Sequence, residues 1–351
     1  TTQPNRTNFG ELPESKKKLL WNGWQTGLKT VARFWENPLI SKSVMENIET
    51  TNLRKHLAAG QVIPAVPLAL ESNGSWSEKY QRALIHYYLE SGAGGLAIGV
   101  HTTQFEIRDP KHNLFEPVLE FCSNAIDRKR DSRNTFAKIA GICGKTRQAK
   151  KEASFAVKHG YNAGLLSLSD FGDASDKVLL THCNKVAEVI PLIGFYLQPA
   201  IGGRKYSFDF WKEFVKIENV VAIKIAAFDR YATIDVVRAV AESGRDDIIL
   251  YTGNDDNIIH DLLTPFNFKE VTLRISGGLL GQWAVGTKSA QELMRKIRTG
   301  GGATGEWARL NASLTDFNAA MFDAANNFAG CIPGINEVLH REGLLPSNRC
   351  L

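Results

Sequence analysis

Between residues 61 and 276, short runs of apolar, largely β-branched residues return at intervals of roughly 25 to 35 residues, each followed by an amphipathic stretch. That alternation marks repeated β/α units. A strand buried on both faces reads as a continuous apolar run, whereas the helix covering it shows a 3.6-residue period. Eight runs occur, at 62–70, 95–101, 137–142, 164–168, 192–196, 220–226, 248–252 and 271–275. Helices are predicted between them at 78–90, 145–158, 175–189, 208–216 and 234–242, several after a capping Ser, Thr or Asp. Eight successive units predict a (β/α)8 TIM barrel over residues 59–300, with helical extensions over 1–58 and 301–351. The rival, a doubly wound open sheet, places a glycine-rich phosphate turn after its first strand. Here Leu70 is followed by Glu71-Ser72-Asn73-Gly74-Ser75, and neither a G-x-G-x-x-G turn nor a Walker loop occurs. Gly300-Gly301-Gly302 reads as a helix stop and linker, and Gly330 and Pro333-Gly334 as breaks in the last helical segment.

One residue violates the strand pattern. Lys224 lies within Val220-Val221-Ala222-Ile223-Lys224-Ile225-Ala226, a run otherwise apolar throughout. An unpaired buried ammonium is costly, and the usual relief is a depressed pKa, which leaves a neutral amine able to attack a carbonyl. The plainer reading is a lysine that snorkels to solvent or pairs with a carboxylate such as Asp229. Strand alternation puts Ala222, Lys224 and Ala226 on one face, whose small residues suit a barrel interior that leaves room for a ligand.

Barrel enzymes draw their catalytic groups from the C-terminal ends of several strands. The polar residues predicted there are His101-Thr102-Thr103 after strand two, Tyr196 at the end of strand five, Lys224, Gly253-Asn254-Asp255-Asp256 after strand seven, and Ser276-Gly277-Gly278 after strand eight. Tyr196 and Lys224 come from successive strands, and a phenol beside an amine can shuttle the protons of imine formation.

These residues, with Ile63-Pro64-Ala65-Val66-Pro67 on strand one and Pro199 shortly after Tyr196, resemble the dihydrodipicolinate synthase and N-acetylneuraminate lyase family of class I, Schiff-base aldolases. The resemblance spans roughly residues 61–300. It implies that Lys224 forms an imine with a 2-oxo acid such as pyruvate and that Tyr196 relays protons to that adduct. It further implies that Thr102 joins the relay and that Thr103 binds the substrate carboxylate. Gly253 and Asp255 would shape the pocket floor, and Leu279 and Leu280 would border it. The partner substrate would be an aldehyde or a sugar acid, no cofactor or metal would be needed, and self-association into a homo-oligomer is expected.

The chain also departs from the family. The threonine signature reads His101-Thr102-Thr103-Gln104-Phe105, without the family's glycines and glutamate, which brings His101 to the substrate side. The family's arginine after the proline is replaced by Ile201, with Arg204 three residues on. A relay tyrosine after strand four is replaced by Ser167-Leu168-Ser169-Asp170-Phe171, leaving Asp170, Ser169 or His101 to fill its space. These departures point to a divergent lyase, dehydratase or hydratase-aldolase; the alternative is an inactive member that binds a metabolite or partner.

Composition excludes other classes. A hydrophobic share of 43% with 23% charged residues is ordinary for a globular chain, and no apolar stretch approaches a membrane span. The net charge of +5 gathers at Lys16-Lys17-Lys18 and Arg128-Lys129-Arg130 with Arg133, short clusters that read as solvated faces and not as a nucleic-acid footprint. Five dispersed cysteines predict a reduced, cytoplasmic protein. Asp255, Asp256, His260 and Asp261 are the metal-ligand candidates, but only the Asp256–His260 spacing shares a helical face.

Overall fold

The computed structural model describes residues 38–131, 134–300 and 304–351. The segment 1–37, with its lysine cluster, lies outside the described residues, as do Arg133 and Gly301-Gly302. Contacts divide the chain into two compact units, 1–51 and 52–351. The described part of the first is the beginning of the helix Pro38–Ala58. In the second unit, seven parallel strands run in order as β1 (Val62–Pro64), β2 (Gly95–Ile98), β3 (Ala137–Ile142), β4 (Ala163–Leu166), β5 (Leu192–Leu197), β6 (Val220–Ala226) and β7 (Ile249–Thr252). An external antiparallel hairpin follows, β8 (Phe266–Phe268) with β9 (Val271–Leu273), and then β10 (Ile275–Leu280) completes the barrel.

The barrel order is β1-β10-β7-β6-β5-β4-β3-β2, so eight parallel strands lie side by side with helices between them. The seam between β1 and β2 is held by a bridge at Ala65 and Ala97, and the Val66 amide donates to the Ala97 carbonyl at 2.9 Å. Thr103 reinforces this seam: its hydroxyl donates to the Val66 carbonyl at 2.7 Å and accepts from the Gly99 amide at 3.0 Å.

Side chains alternate between two apolar layers, as the pleat requires. Ile63, Ala97, Ile139, Leu165, Ile193, Ala222 and Leu279 fill the barrel interior, while Ile98, Ala140, Leu166, Leu192, Ile223 and Leu280 pack outward beneath the helices. Leu53 and Leu57 join the inner layer from the end of the first described helix. The Tyr251 hydroxyl donates to the Leu57 carbonyl and accepts from the Gln61 amide, both at 2.9 Å.

The eighth barrel strand is not where the sequence placed it. The run 271–275 was expected there, but Val271 is exposed and belongs to the hairpin, and Ser276-Gly277-Gly278 lies within β10 and not after it. Glycines are depleted in strands, so Gly277-Gly278 hid the true strand, while Val271-Thr272-Leu273 carried the stronger β signal. Pro333-Gly334 likewise does not break its helix; it lies in the first turn of Cys331–Arg341, where proline costs no hydrogen bond. A Cβ at Gly334 would stand 1.8 Å from the Met321 carbonyl oxygen, so the close packing of this turn on the preceding helix requires glycine.

An internal ion pair ties β2 to β3. Arg108 donates through Nε and Nη2 to both carboxylate oxygens of Glu152 at 3.0 and 3.1 Å, and also to the carbonyls of Gly99 and Gly141 at 3.1 and 2.9 Å. Both side chains are largely buried. Arg108→Met is expected to destabilise the protein by about 3–5 kcal/mol, because it leaves a buried carboxylate without its counter-charge. Equilibrium denaturation checks this, and a loss below about 1 kcal/mol would mean that water screens the pair.

Candidate active site

Lys224 projects from β6 into the C-terminal mouth of the barrel and is 9% exposed. Its Nζ makes no hydrogen bond or ion pair among the described residues and lies 4.5 Å from the centre of the Phe195 ring. Asp229, the salt-bridge partner in the plainer reading, is committed elsewhere. It caps the helix Arg230–Ser243, its carboxylate accepting from the amides of Tyr231 and Ala232 at 2.8 and 3.1 Å.

Burial pulls the Lys224 ammonium down to about 8, against the opposing attraction of Asp255 and, less, of Cys331. Burial pushes the Asp255 carboxyl up to about 7, opposed by the Lys224 charge and a hydrogen bond from the Gln282 amide. Asp255 Oδ1 is buried without a hydrogen-bond partner among the described residues. Amine and acid thus line one cavity, each poised near neutrality. His101 also lines it, and its imidazole is pushed down to about 4, first by burial and then by Lys224, so the ring is neutral at pH 7.

Gly253 holds the lysine in position. A Cβ there would meet Lys224 Cε at 2.5 Å and the Ala226 Cβ at 2.8 Å. The following residue braces the turn: the Asn254 side chain accepts from the Phe228 amide at 3.0 Å and donates to Asp261 at 2.9 Å. Asp261 also accepts from Thr252 at 2.6 Å and pairs with Arg230, so this metal-ligand candidate serves as a bracket beneath the turn. Among the described residues, no three His, Cys, Asp or Glu side chains gather as a metal site.

The structure brings together Lys224, Thr102, His101, Gly253 and Asp255. It does not bring in Tyr196, Thr103 or Leu280. Register pairs Phe195, not Tyr196, with Lys224, and one step along a strand turns a side chain to the opposite face. Tyr196 therefore packs outward against Trp211 and Tyr206, its hydroxyl accepting from the Tyr206 amide at 3.3 Å. Thr103 spends its hydroxyl on the barrel seam, and Leu280 belongs to the outer layer. Of the substitutes considered for the missing tyrosine, His101 reaches the cavity; Asp170 accepts from the Gly144 amide, and Ser169 bonds Ser167. Arg204 is held by the carbonyls of Gly172 and Ala174 at 2.7 and 3.0 Å.

Sequence reasoning missed a group of residues that close the mouth. Phe322, Phe328 and Cys331 come from the C-terminal segment and meet Phe228, Leu197 and Ile201 over the lysine. Phe228 and Phe328 touch edge to face with ring centres 5.4 Å apart. The segment docks through polar bonds: Asn318 donates to the Asp255 carbonyl and Thr315 to the Asp256 carbonyl, both at 2.7 Å. Burial pushes the Cys331 thiol up to about 12. The cavity left is small, about 40 Å3. A row of phenylalanines in a helical tail carries no chemical signature, so only the fold could assign it to the site.

A (β/α)8 barrel with one buried amine at its C-terminal mouth defines the class of protein. The chain belongs to the dihydrodipicolinate synthetase family, whose model matches residues 58–351, and this is a family of class I aldolase-type lyases. It is 26% identical over 199 residues to N-acetylneuraminate lyase 2 of Escherichia coli O6:H1 (strain CFT073), a match covering 56% of this chain and 61% of that relative's length. Among solved structures it superposes on YagE of E. coli K12, a prophage protein of the dihydrodipicolinic acid synthase family crystallised in complex with pyruvate, with a TM-score of 0.68 and 17% identity, over 83% of this chain and 91% of the other. The chloride-inhibited dihydrodipicolinate synthase of Acinetobacter baumannii gives a TM-score of 0.68 and 18% identity, over 83% and 91%. At these identities the solved structures establish the fold. No helix of the described residues is long and apolar enough to cross a membrane.

Proposed function

We propose that the protein is a Schiff-base lyase or aldolase acting on a 2-oxo acid of the pyruvate type, with Lys224 as nucleophile. The observation that carries this reading is the buried amine itself, near neutrality and without a hydrogen-bonding partner among the described residues, at the mouth where barrel enzymes do their chemistry. The neutral amine attacks the keto carbon, a C–N bond forms, and the carbonyl electron pair moves to oxygen, which takes up a proton. Loss of water from this carbinolamine leaves an iminium. Release of a proton from the adjacent carbon gives an enamine, whose carbon bonds to an aldehyde carbonyl carbon while that oxygen is protonated. Water then adds to the iminium and expels the amine, yielding a 4-hydroxy-2-oxo acid; cleavage runs the same steps in reverse.

Tyr196 is turned away from this chemistry, and Asp255 takes its role as proton carrier in our reading, since its carboxyl lines the same cavity and titrates near 7. Thr102 lines the cavity with its hydroxyl free of hydrogen bonds among the described residues, and with His101 it supports the substrate carboxylate. Self-association is part of the same proposal by kinship.

Borohydride reduction in the presence of pyruvate, followed by peptide mass mapping, tests the reading. A reduced adduct on Lys224 is expected; a folded protein giving none with a panel of 2-oxo acids would sink it. The pH dependence adds a second check. Attack needs the free amine, so trapping should accelerate with pH and level off above about 8. Asp255 raises the pKa of Lys224, so in Asp255→Asn the rise should move to lower pH. An unchanged profile would mean that the two groups do not interact, and a shift to higher pH would contradict the attraction between them.

One observation favours a second reading, a binding protein without turnover: the tight closure of the mouth over the lysine. The same trapping experiment separates the two, because a closed vestige forms no adduct.

A further inference from the structure

We infer that the space above Lys224 is a subsite for an aldehyde bearing an uncharged aromatic or branched hydrocarbon group, and not one bearing a carboxylate or a chain of hydroxyls. This rests on the Schiff-base reading for the order of events, but the subsite is argued from its own walls. Strand register sets the depth of each residue. Phe195 is level with Lys224, Leu197 stands two residues nearer the mouth on β5, and Ile201 and Phe228 lie beyond the ends of β5 and β6. Phe322 and Phe328 close the chamber from the C-terminal segment. A molecule held by Lys224 at its keto carbon must therefore meet its partner among Leu197, Ile201, Phe228, Phe322 and Phe328, with Gln198 beside them just beyond the end of β5.

Charge makes the same point by omission from the wall. Among the described residues the cavity lining contains no arginine and no lysine other than Lys224, and the nearby Arg204 is occupied by the Gly172 and Ala174 carbonyls. A carboxylated partner would lose its hydration here without gaining a counter-charge, and a chain of several hydroxyls would find Gln198 alone as a polar neighbour among these apolar walls. Backbone strain is concentrated at the same place. Phe228 and Phe328 both adopt positive φ, 51° and 63°, which bulky side chains rarely do, and the two rings meet there. Asn254 holds the first of them through its amide. Strain that persists at a pocket wall, braced by a neighbouring side chain, marks a conformation held for a purpose.

The test has two arms on the full chain. In the first, pyruvate is offered with benzaldehyde, isobutyraldehyde, glyceraldehyde or succinic semialdehyde, and kcat/KM is compared. The uncharged apolar aldehydes are expected to lead by at least about tenfold, which corresponds to about 1.4 kcal/mol of differential binding. Ile201→Arg is expected to move the preference toward succinic semialdehyde by a similar factor. Preference for the polar aldehydes, or no preference, in a protein that traps pyruvate on Lys224 would overturn the subsite while leaving the lysine chemistry standing. The second arm needs no turnover: calorimetric titration with benzyl alcohol and with glycerol. Saturable binding of benzyl alcohol alone, weakened at least tenfold in a Phe328→Ala protein of unchanged melting temperature, supports the subsite even where pyruvate is not trapped. Equal affinity for both alcohols, no saturable binding of either, or benzyl alcohol binding unaffected in folded Phe328→Ala, overturns it.

Discussion

Lys224→Met is expected to lower turnover by at least about 10³-fold while leaving the fold intact or more stable, since methionine keeps the lysine's unbranched apolar stem without its charge. The two readouts together separate the chemical role from a structural one. Removing one partner of a stabilising buried ion pair costs about 3–5 kcal/mol. Removing an amine whose burial is itself unfavourable costs nothing comparable, because Asp255 can remain protonated. The pH dependence fixes the sign. The folded protein holds the amine at about 8, below its ordinary 10.5, so between those values the unfolded chain binds more protons. Relative to Lys224→Met, the parent protein should therefore gain stability as pH rises across that window; the comparison isolates the lysine from the buried cysteines and Tyr251, whose raised pKa values act in the opposite direction in both proteins. Thermal melting from pH 7 to 10.5 measures it. A variant that melts several degrees lower at pH 7 and still turns over substrate would refute the assignment.

Gly253→Ala is the second large effect, expected to cost on the order of 10²-fold in kcat with a modest change in stability. The new methyl would overlap Lys224 Cε at 2.5 Å, and the lysine is the flexible party, since the other contacts are the Ala226 Cβ and the Ile225 carbonyl at 2.8 and 3.2 Å. A displacement of about 1 Å in a reacting group costs rate on that scale. Binding of the 2-oxo acid should weaken less than the rate of trapping falls. Single-turnover trapping at saturating pyruvate checks this; a rate within about threefold of the parent would show that the site absorbs the methyl elsewhere.

The barrel was legible because its signal is repeated. Each β/α unit restates the same apolar period, so the misreading of 271–275 left seven strands to carry the architecture. Lys224 was legible for the opposite reason, as a single exception in an apolar run. Tyr196 was not, because its position depends on parity. Which of two neighbours, Phe195 or Tyr196, faces the lysine is decided by the register of β5 on β6, and that pairing carries a shift at Leu192/Ile193 which sequence spacing cannot reveal. Thr102 and Thr103 show the same limit. Adjacent and chemically identical, one hydroxyl meets the cavity while the other closes a seam. The mouth residues Phe322, Phe328 and Cys331 escaped notice because they reach the site from about a hundred residues beyond the lysine, with no local pattern to announce it.

That distant origin separates two properties that one stretch of chain often controls together. The position of the amine is set within β6 and the turn at Gly253–Asp255, under strong constraint from barrel packing. The shape offered to the second reactant is set largely by the C-terminal segment, which buries Phe322, Ile335 and Leu339 and bonds the strand-seven turn through Asn318 and Thr315. Natural variation at the tail's wall residues can therefore change the choice of partner while the strand and turn that position the nucleophile stay in place.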